Sequence, residues 1–310
     1  MLRYILKRLL LMIPVLLGIS FILFSILNLT PGDPARAMLG EGATEEDVQQ
    51  LREEMGLNDP FFARYGKYII GLFQGDFGKS YVSGRLVSDE ILTRFPTTIR
   101  LAFCGITFAV LVGIPVGIIS AVRQYTIIDN VSLIATLILT SMPGFWLGLM
   151  LILTFSLKLG WLPTAGSDTW MHMILPTITV SAASLATLIR MTRSTMLETI
   201  RQDYIRTAKS KGATEGCVIF KHALRNALIP VVTVVGIQFG TLLGGAVITE
   251  SVFAINGLGY YIVEAVKMKD APVVIGAVML IAFVGGLVNL IVDVLYTYID
   301  PRLKAQFAKG

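Results

Sequence analysis

The sequence predicts an all-α integral membrane protein: six transmembrane helices, with a small external cap between helices 1 and 2. Three observations predict this class. Of the 310 residues, 54% are hydrophobic and only 15% charged, and the mean hydropathy is +0.72; water is not the main solvent of such a chain. Six stretches are nearly free of charge: 9–29, 101–122, 131–157, 171–189, 226–249 and 271–292. Each is long enough to span, because a hydrocarbon core of roughly 30 Å takes about 20 mostly apolar residues in helical form. Finally, lysine and arginine concentrate in segments that an even number of crossings places on one side.

The first span follows Arg3, Lys7 and Arg8. That order resembles a secretory signal, and Ala35-Arg36-Ala37 resembles a cleavage site. The apolar run exceeds the about 7–15 residues of a signal core, and five similar runs follow, so it reads as an uncleaved span. Segment 30–96 holds eleven acidic and seven basic residues and is external by parity. Within it, Thr44-Glu45-Glu46-Asp47 followed by Val48, Leu51 and Met55 predicts a capped amphipathic helix ending at Gly56. Residues 60–73 predict a second helix. Phe61, Phe62, Tyr65, Tyr68, Phe73, Phe77 and Tyr81 need packing partners, which favours a folded cap over a disordered linker.

Positive charge is retained on the cytoplasmic side of short loops. The N-terminus carries Arg3, Lys7 and Arg8, segment 190–225 carries eight basic residues against Glu198, Asp203 and Glu215, and the tail adds Arg302, Lys304 and Lys309. Both termini are therefore expected in the cytoplasm. The pI near 9.2 reflects this placement, not a nucleic-acid partner.

Small residues spaced by four allow close helix approach. Gly236, Gly240 and Gly244 form such a stripe, and Gly113 with Gly117 and Gly144 with Gly148 repeat it; static packing and a mobile pathway lining both remain open. Prolines 14, 115, 143 and 176 can kink their spans. No charged residue sits mid-span, which argues against a proton-driven carrier. Ser141, Thr233, Gln238, Thr241 and Asn289 are the candidates to line a polar route, with Asp293 at the end of the last span. For each, a satisfied interhelical hydrogen bond is the somewhat stronger alternative.

Catalytic and metal signatures do not assemble. Gly78-Lys79-Ser80 ends like a phosphate-binding loop, but position 73 is Phe and the segment is external. An intramembrane enzyme would need paired aspartates, a serine with a base, or a zinc helix. The only histidines, His172 and His222, fall on opposite sides of the membrane, and Cys104 and Cys217 read as free thiols. A passive channel fits the composition but not the long basic segment 194–226. There Met196, Ile200, Tyr204 and Ala208 form one helical stripe, Gly212 breaks the helix, and 214–224 resumes with Val218, Ile219 and Leu224. On pattern alone this is either a docking site for a motor subunit or an interfacial helix on anionic lipid.

The run Asp203-Tyr204-Ile205-Arg206-Thr207-Ala208-Lys209-Ser210-Lys211-Gly212-Ala213, followed by His222-Ala223-Leu224-Arg225-Asn226-Ala227-Leu228-Ile229-Pro230, resembles the permeases of the dipeptide, oligopeptide, glutathione and nickel ABC importers. In that superfamily a Glu-Ala-Ala, three residues, Gly motif forms the coupling helix. Aligned on Gly212, its first three positions fall on Arg206, Thr207 and Ala208; two depart from the general pattern as the peptide and nickel branch does. Pro31-Gly32-Asp33-Pro34, Gly75-Asp76-Phe77-Gly78, Gly160-Trp161-Leu162-Pro163, Met173-Ile174-Leu175-Pro176, Gly257-Leu258-Gly259 and Asp300-Pro301-Arg302 extend the likeness along nearly the whole chain.

The resemblance implies a type I ABC importer permease architecture in a bacterial inner membrane. It implies a homologous second permease in a heterodimer, two ATPases that bind the ATP and Mg, an external solute-binding protein, and no cofactor in this chain. Asp203, Tyr204, Arg206, Thr207, Ala208, Gly212 and Ala213 would be the ATPase-coupling residues, and loop 251–270 would face the binding protein. The expected solute is a short peptide, with a nickel chelate or glutathione as the alternative. The expected division is 1–94 for the first helix and cap, 95–297 for the five-helix core with coupling segment 194–226, and 298–310 for the tail.

Overall fold

A computed structural model describes residues 2–29, 32–40 and 42–299. Pro31, the tail charges Arg302, Lys304 and Lys309, and Asp300-Pro301-Arg302 lie outside the described residues.

Helix α1 (Leu2–Leu29) is the first apolar span. Three short helices follow: α2 (Pro34–Leu39), α3 (Glu45–Glu54) and α4 (Phe61–Phe73). Their starts are written locally. Asp33 accepts the Ala35 N–H and Pro34 sits at the first helical position. Thr44 accepts the Asp47 N–H, with Glu45, Glu46 and Asp47 in the first turn. Gly56, at φ 64°, closes the turn after α3.

The core spans follow as α5 (Val87–Val122), α6 (Ile127–Ser141), α7 (Gly144–Leu151, continued as a π-helix over Ile152–Lys158) and α8 (Ile174–Ile200). Then come α9 (Asp203–Ser210), a π-helical turn Cys217–Ala223 running into α10 (Leu224–Val252), α11 (Leu258–Lys267) and α12 (Ala271–Ile299). Helices satisfy their own backbone groups, which is what a bilayer demands. Among the described residues five are long and apolar enough to cross, and α6 with α7 makes a sixth if that bent pair is one span.

The span expected over 131–157 is kinked at Pro143, as that residue allowed, but far more sharply than a bend within one helix. The chain turns by 105° between Ser141 and Gly144. Pro143 breaks the helix here: it has no N–H to donate and pushes the preceding residue out of helical geometry. Met142 is accordingly extended at φ −79°, ψ 126°.

The described residues divide into two compact units, 2–5 with 99–255 and 285–299, and 6–98 with 256–284. In the second, Val87, Ile91, Leu258, Ile262, Val273 and Val274 form a buried core. Phe21 and Phe24 of α1 pack against Phe61 and Tyr65 of α4, edge-on in three of the four pairs and tilted in Phe24–Tyr65, which gives these two cap aromatics their partners. Phe62 and Phe73 stay exposed, unlike the rest of that set. Asp270 is buried and accepts hydrogen bonds from Ser80 Oγ, from Tyr81 N–H at 3.1 Å and from Val82 N–H at 3.3 Å. Ser80, in the near-miss phosphate motif, is thus consumed by a structural bond. In the first unit, α5 and α8 touch so closely that a Cβ on Gly117 would stand 2.7 Å from Thr192 Cβ and 2.8 Å from the Ile189 carbonyl. Gly236 meets Val292 of α12 in the same way. Gly240 also faces α12, whereas Gly244 faces open space, so the stripe is only partly packed.

Candidate functional site

The coupling segment begins where α8 ends. Arg201 and Gln202 make a turn, with Gln202 extended at ψ 148°, and α9 restarts at Asp203. This break corrects the single stripe Met196, Ile200, Tyr204, Ala208. Two non-helical residues shift the phase of the repeat, so the inward position passes to Ile205. Ile205 is 1% exposed and sits with Ile118, Ala121, Met196, Val218, Ala223 and Ala227 in one buried cluster. Tyr204 is instead exposed and accepts a bond from Asn226 Nδ2 at 2.8 Å, which ties α9 to the start of α10.

Beyond α9 the chain reverses at Gly212, φ 83°. Its N–H donates to Lys209 O at 2.9 Å and the Ala213 N–H to Ala208 O at 3.2 Å. Those two bonds are the Schellman pattern, in which the left-handed residue is normally glycine. A Cβ here would meet nothing within 4 Å, so backbone conformation, not crowding, calls for Gly212. Ala213 packs on the cluster that seats Ile205. The other face of α9 is turned to solvent: Asp203 and Arg206 approach at 4.0 Å with side chains 99% and 84% exposed. Such a pair contributes little to stability, and Thr207 beside it is exposed too. The structure therefore brings all seven predicted coupling residues into one compact helix-turn, anchored beneath and open above.

The polar-route candidates do not form a single site. Gln238 and Thr241 neighbour each other on α10, with Thr241 Oγ1 donating to Gln238 Oε1 at 3.3 Å. Asn289 lies across from Gly240, its Oδ1 being 3.6 Å from where a Cβ would stand. The Thr233 hydroxyl is buried without a hydrogen-bond partner. Ser141 lines a separate apolar groove of about 510 Å³ at the α6–α7 bend, with Met142, Pro143, Phe145 and Trp146. Asp293 accepts from Tyr4 OH at 3.2 Å. His172 Nδ1 bonds Thr169 Oγ1 at 2.8 Å, in a capping role. No group of three or more His, Cys, Asp or Glu side chains poised for a metal exists among the described residues.

Sequence reasoning missed one site. Asp129, 1% exposed, takes both oxygens to Arg193, with Nε at 2.7 Å and Nη2 at 2.8 Å. Ser120 Oγ donates to the same carboxylate at 2.6 Å and the Tyr125 N–H at 2.9 Å. Both charges flank apolar runs, where they look like ordinary boundary residues; nothing in the sequence pairs positions 64 apart.

Apolar helices long enough to span a bilayer, joined to an anchored helix-turn that presents a polar face to solvent, define a multi-pass membrane protein. Comparison with known proteins gives the family. Residues 113–305 match the model of the binding-protein-dependent transport system inner membrane component, and residues 1–102 match its N-terminal companion. The chain is 43% identical to the dipeptide transport system permease protein DppB of Alkalihalophilus pseudofirmus, over 98% of this chain and all of that protein. It is 44% identical to the glutathione transport system permease protein GsiC of Escherichia coli K12, over 98% of this chain and 99% of that one. The fold resembles the inward-facing MetNI methionine ABC transporter, TM-score 0.58 at 22% identity, covering 68% of this chain and 96% of that one. An amino acid ABC transporter with histidines gives 0.52 at 16% identity, covering 69% and 94%. The chain belongs to the binding-protein-dependent transport system inner membrane component family. It is a multi-pass inner-membrane permease subunit of an ABC importer, and membership implies ATPase and solute-binding-protein partners.

Proposed function

We propose that this permease moves short peptides, delivered by the external binding protein, inward by alternating access. In this reading it pairs with a second, homologous permease and two ATPases, and both termini lie in the cytoplasm. ATP and Mg bind to the ATPases; this chain holds no cofactor. The observation that carries the coupling role is the two-faced α9. Ile205 fixes it to the bundle, while Asp203, Arg206 and Thr207 face outward, free to enter a partner's groove. ATP-driven closure of the motor dimer pulls on 206–213, and the anchored face passes the pull to α5, α8 and α10. A ligand drives such a cycle only by binding two states differently, so the ATPases must hold α9 more tightly in one permease state.

Peptide is favoured because the dipeptide and glutathione permeases cited above carry compounds built from linked amino acids. The 44% identity to a glutathione permease supports the tripeptide glutathione as a second reading. Gly212→Pro forbids the left-handed turn and removes its N–H. In proteoliposomes containing the complete transporter, this variant is expected to abolish ATP-dependent uptake of labelled dialanine while the complex still assembles. Unchanged uptake would sink the coupling role. Uptake of glutathione but not dialanine by the unaltered complex would replace the solute, and uptake of neither would make a nickel chelate the next candidate.

A further inference from the structure

We infer that the Asp129–Arg193 pair is a rigid strut that makes α6 follow the coupling segment, so both are positioning residues for transport. The inference rests on the coupling role proposed for α9.

The strut ties three elements through one carboxylate. Ser120 near the end of α5, the Tyr125 N–H in the α5–α6 turn and Arg193 on α8 all bond Asp129 near the start of α6. The turn is shaped for this, since Tyr125 is a non-glycine residue held at φ 64°. Strain of that kind persists only where surrounding contacts fix it, and here the carboxylate holds the strained N–H. The same stretch of α8 carries Met196, one turn beyond Arg193 and fully buried against Ile205 of α9. Ile118 and Ala121, which flank Ser120 on α5, share that cluster. A displacement of α9 therefore reaches two of the three donors, Ser120 and Arg193, within one helical turn.

On the receiving side, α6 packs along α8 but buries few of its side chains. Asp129 and Thr136 are its only buried residues, and Thr136 spends its hydroxyl on the Leu133 carbonyl of its own helix. The helix ends at the bend that begins at Ser141. Bidentate Arg–carboxylate geometry resists rotation as well as separation. A rotation of α8 thus swings α6 and the bend with it.

A second tie lies beside the first. Arg201 Nη2 donates to Gln124 Oε1 at 3.3 Å across a water-accessible cleft of about 570 Å³ lined also by Tyr125, Glu198 and Gln202. This exposed contact gives a place to restore the connection artificially.

The test uses the complete transporter in proteoliposomes, reading labelled dialanine moved per ATP hydrolysed, with Cys104 and Cys217 replaced by alanine. Asp129→Leu with Arg193→Met removes both charges together, leaving no unpaired buried ion. The strut predicts that this variant assembles and hydrolyses ATP, but that its transport ratio falls about tenfold, the scale on which coupling residues act. Gln124→Cys and Arg201→Cys, joined by a bis-methanethiosulfonate spacer that replaces the length of the two long side chains removed, are expected to restore most of the ratio. In the parent with its ion pair intact, the same cross-link is expected to change nothing. A normal ratio in the charge-free variant overturns the strut. So does arrest of the parent by the cross-link, because the elements would then have to part during each cycle. If the charge-free variant does not assemble, the parent cross-link decides alone. If the parent itself takes up no dialanine, it is the peptide reading that fails; binding-protein stimulation of ATP hydrolysis then replaces uptake as the readout.

Discussion

Two buried aspartates, one in each compact unit, solve the same problem by different means. Asp129 is compensated by a guanidinium from another helix, with a hydroxyl and a backbone N–H in support. Asp270 takes a hydroxyl and two backbone N–H groups from one short segment, 80–82. The first arrangement joins helices at a single charged point; the second wraps a loop around a carboxylate. Backbone donors belong to a local turn and travel with it. An arginine on α8 reports what α8 does, which is the difference between holding a shape and transmitting a movement.

The largest predicted effect separates them by charge. Arg193→Ala strands a buried carboxylate and is expected to destabilise the complex by about 3–5 kcal/mol. Asp270→Ala removes an acceptor from Ser80 and two N–H groups but leaves no ion behind, and about 1–3 kcal/mol is expected. Thermal unfolding of the detergent-purified transporter measures both. Equal losses would mean that the guanidinium is not what distinguishes the two knots.

A smaller effect tests the packing around the Asp129 knot. Gly117 sits one turn before Ser120, where α5 and α8 have no room for a methyl group. Gly117→Ala is expected to cost about 1–3 kcal/mol through overpacking. Gly244→Ala, on a glycine that faces nothing within 4 Å, is expected to stay within about 0.5 kcal/mol of neutral. If both variants melt alike, the close approach does not hold the strut in register.

The sequence made much of this visible, for reasons that differ by element. Hydropathy marks helices because the bilayer leaves a chain no other way to satisfy its backbone. Thr44 and Gly56 mark the ends of α3 because caps are local chemistry. The coupling run is legible as a motif, and Gly212 as its turn. What escaped were phases and pairings. A two-residue break at Arg201 and Gln202 handed the inward face from Tyr204 to Ile205. Pro143 was visible as a kink, but the 105° bend depends on what the two halves pack against: Gly148 of α7 lies against Val252, Phe253 and Thr179. Asp129 and Arg193 escaped entirely, since a tertiary ion pair leaves no periodicity.

The smallest effect probes the loop-wrapped unit by pH. Burial raises the hydroxyl pKa values of Tyr68 and Tyr81 above the ordinary tyrosine value; nearby Tyr81 and Tyr65 add to the rise at Tyr68, and Arg64 partly offsets it at Tyr81. A raised folded pKa means that the unfolded chain loses these protons first. Their contribution is therefore complete below about pH 10, the unfolded tyrosine value, and is lost as pH climbs from there toward the folded values. Hydrogen exchange followed between pH 9 and 11 should show protection declining first in α4 and in the 78–86 segment around Asp270. The Asp129 knot should hold over the same range, because arginine stays charged throughout it. Loss of protection around Asp129 before α4 would reverse the assignment of which knot is rigid and which is a local turn.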